Sequence, residues 1–232
     1  SNPLEERFRR SWFEHLGRLR EVEAACAPEI EGDPALRYSV PRIVCIGEES
    51  SGKSSTLERV AMMSVFPSDE RLCTRVPIEL RLRHRDRESL AKEEERFRDG
   101  YVVMKMAPGE DSKLNADVSS QMHPDEVPAQ VRTWMEELVA AANGKVTGVT
   151  DDRIIIELYS PLCVNLDLID LPGIVAGSIP GEPTDMMDRT RNLSASFLND
   201  KAHPHTFVIA VASAREARIR NSQAMELVQR YN

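Results

Sequence analysis

The sequence of 232 residues has few cysteines and lacks an apolar run long enough to span a membrane. A spanning helix needs about 20 consecutive apolar residues, and the amino-terminal segment also lacks the apolar core of a signal peptide. Metal-ligand spacing is absent among the four cysteines, which are Cys26, Cys45, Cys73 and Cys163. We therefore expect no spanning helix and no cysteine metal site, and we expect the thiols to be reduced.

An excess of basic residues is also absent. Asp and Glu number 38 against 30 Lys and Arg, which gives a formal net charge of -8. Surfaces that bind nucleic acids are generally basic, so we expect no nucleic-acid partner. Hydrophobic residues make up 41% of the chain, which is sufficient for a sizeable core.

The apolar pattern predicts an α/β protein preceded by a separate helix. Residues 4–27 place apolar side chains at spacings of three and four, which is typical of an amphipathic helix. A proline-containing linker follows over 28–41. Short β-rich segments then alternate with helical patterns. The strands are expected at 42–46, 76–83, 153–159, 164–170 and 206–212, and the helices after Lys53, in 125–142 and in 184–199.

This alternation predicts one domain over 42–232, with a mostly parallel central sheet flanked by helices. The stretch 84–122 is strongly charged at first and then rich in Asp, Ser and Gly, with weak periodicity. We expect a surface insertion there. The alternative is a solvated loop and helix without chemistry.

Residues 47–55, GEESSGKSS, lie between an apolar strand and a predicted helix. They match G-x-x-x-x-G-K-[ST], the pattern of a phosphate-binding loop, for which a glycine-rich turn without ligand is the alternative. The main-chain N–H groups of such a loop and the helix N-terminus bind phosphate oxygens. The motif predicts a nucleotide site formed by Gly47, Glu48, Ser50, Ser51, Gly52, Lys53, Ser54 and Ser55.

Within this loop Lys53 would neutralise the β and γ phosphates, and Ser54 would offer its hydroxyl to Mg²⁺. Two carboxylates, Glu48 and Glu49, lie where a polyanion would approach. They need not oppose binding, because main-chain donors form the phosphate site and these side chains can point outward.

The segment LDLIDLPG ends an apolar strand with Asp170 and continues to Gly173. In such a D-x-x-G arrangement the Asp holds a water of Mg²⁺ and the Gly N–H can reach the γ phosphate. A Thr between the two motifs should complete the Mg²⁺ shell once the γ phosphate is present. Thr74 fits this role, although an ordinary Thr at a strand start is the alternative. The predicted Mg²⁺ residues are Ser54, Thr74 and Asp170.

Several segments together resemble the GTPase domain of the dynamin superfamily. They are GEESSGKSSTLE, CTRVP, VTG at 146–148, YSP at 159–161, LDLIDLPG and NSQAMEL, in the family's order and approximate spacing. The resemblance extends from about Leu4 to the carboxyl terminus. It implies a P-loop GTPase fold in which the first helix is one helix of the bundle signalling element, a helical neck beside the GTPase domain.

The resemblance implies GTP hydrolysis with Mg²⁺ and a monovalent cation, Na⁺ or K⁺, in a homodimer whose GTPase domains meet across the nucleotide. Ser50 would help to hold the monovalent cation, Thr74 would position the attacking water through its backbone, and Gly173 would assist. Glu49 stands where the family has a water-orienting Gln. An ionised carboxylate accepts hydrogen bonds but donates none, and its charge predicts slower or differently tuned turnover.

Two further segments depart from the family pattern. FPSDERLCT replaces a Gly-rich loop, and the sequence ends at Asn232 before a T-K-x-D motif, whose Asp reads guanine. Guanine preference therefore comes from the resemblance alone, and an ATPase is one alternative.

The resemblance implies that GTP hydrolysis drives membrane remodelling or fission by higher polymers. The expected location is cytoplasmic, at a membrane or organelle surface reached through other regions of the full-length protein. The alternative from another class is a nucleotide-gated scaffold with slow or absent hydrolysis.

Overall fold

The computed structural model describes residues 40–61, 63–66, 76–109, 116–142, 152–175, 186–200, 203, 206–213 and 222–231. The predictions for the helix at 4–27, for most of the linker, for Thr74 and for VTG at 146–148 lie outside these residues.

The described part contains a seven-stranded sheet and α-helices. The strands are β1 Arg42–Gly47, β2 Ile78–His84, β3 Tyr101–Ala107, β4 Asp117–Val118, β5 Arg153–Ser160, β6 Leu166–Asp170 and β7 Thr206–Val211. The α-helices are α1 Lys53–Ala61, α2 Arg87–Leu90, α3 Val127–Ala142, α4 Met186–Leu198 and α5 Gln223–Tyr231. Short 3₁₀ turns occur at Glu95–Phe97 and Pro124–Glu126.

The strand order is β4-β3-β5-β2-β6-β1-β7. β1 pairs in parallel with both β6 and β7, and β2 pairs in parallel with β5. The β2–β6, β3–β5 and β3–β4 pairs are antiparallel. The expected α/β architecture of a P-loop GTPase fold is therefore confirmed for the described residues, with β1 between two parallel neighbours.

Alternate residues of β1 contribute to two apolar clusters. Cys45 belongs to the larger cluster, which includes Leu57 of α1 and Trp134 of α3. Val44 and Ile46 belong to the smaller one, which is completed by residues of α4 and α5, namely Phe197, Ala224 and Leu227. Because successive strand side chains point to opposite faces and both faces are covered, β1 is apolar over 43–46. This double burial fixes the strand that leads into the loop at 47–55.

Part of the stretch 84–122 differs from the expected surface insertion. β3 lies inside the sheet between β4 and β5, and its residues Val102, Met104 and Met106 are buried. Lys105, which interrupts the apolar run, lies on the other face and pairs with Glu157 of β5 at 2.9 Å. The alternation is that of a half-buried strand. The charged residues around it obscure the pattern in the sequence.

The two cysteines within the described residues, Cys45 and Cys163, are free and buried. Burial raises the pKa of each thiol to about 12. Such thiols are poor nucleophiles and poor metal ligands. Among the described residues, no helix is both long enough and apolar enough to cross a membrane.

Candidate nucleotide-binding site

The loop at 47–55 makes a sharp turn between β1 and α1. Gly52 has a φ of 96° and Ser50 has a φ of 57°. Both values lie in a region that glycine adopts readily and other residues adopt rarely. A serine held in this conformation is a strained position of the kind found at functional sites.

Gly47 is required by the close approach of β7. A β-carbon at this position would overlap the carbonyl oxygen of Val211 and lie 2.6 Å from Ser51 Oγ. Only glycine therefore fits at the end of β1, and the chain turns into the loop directly beside the last residue of β7.

Lys53 is the first residue of α1, and its side chain is turned back into the loop. Lys53 is only 6% exposed, and its Nζ donates to the carbonyl oxygen of Glu48 at 2.9 Å. Burial lowers the pKa of this ammonium, while the nearby carboxylate of Asp170 acts in the opposite direction. A positive charge with so little contact with water is well placed to bind an anion in the loop.

Ser54 of α1 contacts Asp170, the last residue of β6. Its Oγ donates to Asp170 Oδ2 at 2.6 Å, and Asp170 is fully buried. The parallel register places Asp170 beside Cys45, so β6 ends next to the start of the loop. Hydroxyl and carboxylate oxygens are the ligand types that Mg²⁺ prefers. The pair therefore fits a Mg²⁺ site of the kind predicted from the sequence.

The D-x-x-G segment lies against the main chain of the loop. A β-carbon at Gly173 would lie 2.6 Å from Glu49 Cα and 2.7 Å from Glu49 N. The next residue, Ile174, donates its N–H to the carbonyl oxygen of Gly47 at 3.0 Å and forms a bridge with Glu48. The two motifs thus form one backbone unit.

The two glutamates of the loop have different surroundings. Glu49 is exposed. Glu48 Oε1 instead accepts from Ser222 Oγ and from the N–H of Gln223, each at 2.7 Å. The Glu48 carboxylate is thereby held at the N-terminus of α5. The side chain of Glu48 is therefore directed toward α5.

The structure brings together many of the sequence-predicted residues, namely Gly47, Glu48, Glu49, Lys53, Ser54, Asp170 and Gly173. Ser50, Ser51, Gly52 and Ser55 complete the turn and the start of α1, and Ser50, Gly52 and Ser55 are exposed. Thr74 lies outside the described residues.

The sequence model of the dynamin family matches residues 43–232. The chain belongs to the dynamin family. It contains the GTPase domain of that family, as the motifs predicted. The dynamin-1-like protein of Danio rerio is 30% identical over 176 residues, covering 75% of this chain and 23% of that relative.

Two other relatives give the same picture. The interferon-induced GTP-binding protein Mx of Siniperca chuatsi is 30% identical over 171 residues, covering 73% of this chain and 23% of the relative. Dynamin-A of Dictyostelium discoideum is 27% identical over 192 residues, covering 81% of this chain and 20% of that relative. The chain therefore spans about a quarter or less of the curated dynamin-family relatives that it matches.

Two contacts near the dynamin-family site were not predicted from the sequence. Ser222 bonds to Glu48, although the only local signal is that Ser is a common residue before a helix. Glu58 of α1 accepts the N–H groups of Val65 and Phe66 at 2.9 and 3.0 Å. Glu58 thereby ties the chain that follows α1 back to the helix of the phosphate-binding loop.

Proposed function

We propose that this dynamin-family domain binds GTP with Mg²⁺ in the loop at 47–55 and hydrolyses it. The convergence of Lys53, Ser54 and Asp170 carries the proposal. A buried ammonium and a hydroxyl–carboxylate pair lie at the N-terminus of α1, where main-chain donors and the helix dipole favour phosphate.

Each side chain has a distinct role in this proposal. Lys53 binds the β and γ phosphates, and Ser54 and Asp170 hold Mg²⁺, with Asp170 acting through a water. Mg²⁺, when bound, neutralises negative charge on the phosphates. The N–H of Gly173 contacts the γ phosphate, and Glu49 orients the attacking water. The sequence motif assigns Thr74 to positioning that water and to binding the metal.

The family suggests how the site is completed. Two GTPase domains pair across the nucleotide, and a monovalent cation, Na⁺ or K⁺, lies near Ser50. Ser50 has a strained backbone, as residues at functional sites often do. In the full-length protein, hydrolysis drives membrane remodelling or fission by a polymer at the cytoplasmic surface of a membrane, without a nucleic-acid partner.

One observation favours a second candidate. Glu49 is exposed at the position where the family has a Gln, and its carboxylate adds negative charge beside the phosphates. The second candidate is a nucleotide-gated scaffold in which GTP controls assembly and hydrolysis is slow or absent.

Single-turnover hydrolysis of GTP at rising protein concentration distinguishes the two candidates. Turnover that rises with concentration supports an enzyme completed by pairing of GTPase domains. Flat turnover close to the uncatalysed rate, with GTP still bound, supports the scaffold. Parallel reactions with ATP test the base preference, and reactions in Na⁺, K⁺ or a large organic cation test the monovalent cation.

A further inference from the structure

The carboxylate of Glu48 occupies the place of a helix cap. α5 begins at Gln223, whose main-chain N–H would otherwise lack an intrahelical acceptor. Glu48 Oε1 accepts that N–H and the hydroxyl of Ser222, which is only 1% exposed. Capping oxygens usually come from a residue next to the helix in sequence. Here the capping oxygen comes from the phosphate-binding loop, 174 residues from Ser222.

The main chain of Glu48 belongs to the phosphate-binding turn. Its carbonyl oxygen accepts from Lys53 Nζ at 2.9 Å and from the N–H of Ser51 at 3.3 Å. The same residue bridges to Ile174, directly after Gly173. A change in the direction of the Glu48 peptide would therefore alter both the hydrogen bond of the Lys53 ammonium and the cap of α5.

α5 is anchored elsewhere, so it cannot simply follow the loop. Ala224 and Leu227 are buried in the smaller apolar cluster, and Glu226 pairs with Arg191 of α4 at 2.9 Å. A carboxylate at a helix N-terminus is also favoured by the helix dipole. The cap thus joins the nucleotide loop to a helix that also contacts β1, β7 and α4.

We propose that Glu48 is a positioning residue that couples nucleotide binding in the loop to the order of the first turn of α5. The coupling must act in both directions, because nucleotide binding and ordering of the first turn of α5 change each other's free energy by the same amount. Bound nucleotide slows amide exchange at the start of α5, and loss of the cap weakens nucleotide binding. The coupling rests on the proposed function, since it needs a nucleotide in the loop.

The test compares Glu48→Ala, which removes the capping oxygen, with Glu48→Gln, which keeps an acceptor of the same length. Affinities for a fluorescent GDP and for a non-hydrolysable GTP analogue are measured in the full-length protein. Amide exchange at residues 223–226 is measured with and without nucleotide. Glu226→Gln is the matched control, because it removes the negative charge from the ion pair of α5 with Arg191 of α4 and leaves the loop untouched. Thermal unfolding identifies any variant that fails to fold.

We expect Glu48→Ala to weaken both affinities about fivefold or more and to abolish the effect of nucleotide on exchange at 223–226. Glu48→Gln should recover most of both, and Glu226→Gln should bind nucleotide as the parent does. If Glu48→Ala fails to fold, Ser222→Ala is measured instead. This variant should also lose affinity for both nucleotides, but by a smaller factor.

Two results would overturn the coupling while leaving the proposed function intact. One is parental affinity in Glu48→Ala with faster exchange at 223–226, which would make the carboxylate a structural cap only. The other is exchange at 223–226 that does not respond to nucleotide in the parent. A parent protein that binds neither nucleotide would instead refute the proposed function itself, and the coupling with it.

Discussion

Gly173 packs so closely on Glu49 that a β-carbon at Gly173 would lie 2.6 Å from Glu49 Cα. The neighbouring atoms are main chain of the phosphate-binding loop, so they cannot move aside as a flexible side chain would. The close packing joins the residue that we propose to contact the γ phosphate to the residue that we propose to orient water.

We therefore expect Gly173→Ala to displace the D-x-x-G turn from the loop. Misplacement by about 1 Å can reduce a rate about 100-fold, so hydrolysis should fall to about that extent. GDP affinity should change little, because Gly173 is assigned to the γ phosphate. Single-turnover hydrolysis and GDP titration measure the two effects. Parental turnover in Gly173→Ala would show that the close packing has no part in the reaction.

The Mg²⁺ assignment predicts a specific effect of Asp170→Asn. The substitution preserves the shape of a fully buried side chain and removes its charge. We expect the Mg²⁺ concentration for half-maximal hydrolysis to rise at least about tenfold, as happens when a group that orients a metal's surroundings is lost. A Mg²⁺ titration of hydrolysis measures the change.

Asp167→Asn is the matched control, because Asp167 lies on the same strand but pairs with Arg83 at 2.6 Å. Its Mg²⁺ requirement should equal that of the parent. Equal requirements in all three proteins would remove Asp170 from the metal site.

Glu49→Gln should raise the rate of hydrolysis. The amide can both donate to and accept from water, and the substitution removes one negative charge beside the developing phosphoryl charge. The gain could reach about 1 to 2 kcal/mol, or roughly five- to thirtyfold in turnover. Nucleotide affinity should change little, since Glu49 is exposed and the loop binds through its main chain. A fall in turnover would indicate that the carboxylate itself takes part, as a base or a cation ligand.

Arg42 provides a prediction about stability rather than catalysis. Its buried guanidinium donates to Asp200 Oδ2, to the carbonyl oxygen of Phe197 and to Thr206 Oγ1 at 3.0, 3.1 and 3.2 Å. Arg42→Met removes these donors from partly buried acceptors, so the free energy of unfolding should fall by about 2 to 3 kcal/mol. Urea unfolding measures it.

The exposed pair of Arg96 with Glu94 provides the comparison for Arg42. Arg96→Met should change the free energy of unfolding by less than about 1 kcal/mol, because exposed ion pairs contribute little. An equal loss in both variants would contradict the account of Arg42.

The parts of the site that depend on local sequence were predictable. The loop at 47–55 and the segment that ends in Asp170 and Gly173 are recognisable because each function needs fixed residue types at fixed spacing. Strand β1 was predictable for a similar reason, since burial on both faces requires the continuous apolar run at 43–46.

The parts that depend on distant contacts were not predictable from the sequence. Glu48 and Ser222 are far apart in the chain, and nothing near either residue indicates their hydrogen bond. β3 was not predicted because apolar Val103 and charged Lys105 lie on the same face, opposite Met104 and Met106. This mixture weakens the apolar–polar alternation that marks a strand. The antiparallel pairing of β2 with β6 likewise depends on the assembled sheet.

The central claim is that the loop at 47–55 binds GTP for hydrolysis, and Lys53 is its most decisive residue. The most direct measurement is single-turnover hydrolysis of GTP with Mg²⁺ by the full-length parent, by Lys53→Ala and by Lys105→Ala, alongside binding of a fluorescent GTP analogue. Lys105 pairs with Glu157 on the sheet and controls for the loss of one ammonium. We predict binding and hydrolysis in the parent and in Lys105→Ala, and neither in Lys53→Ala, because the phosphates lose their buried positive charge. Unchanged binding in Lys53→Ala, or turnover at the uncatalysed rate in the parent, would contradict the claim.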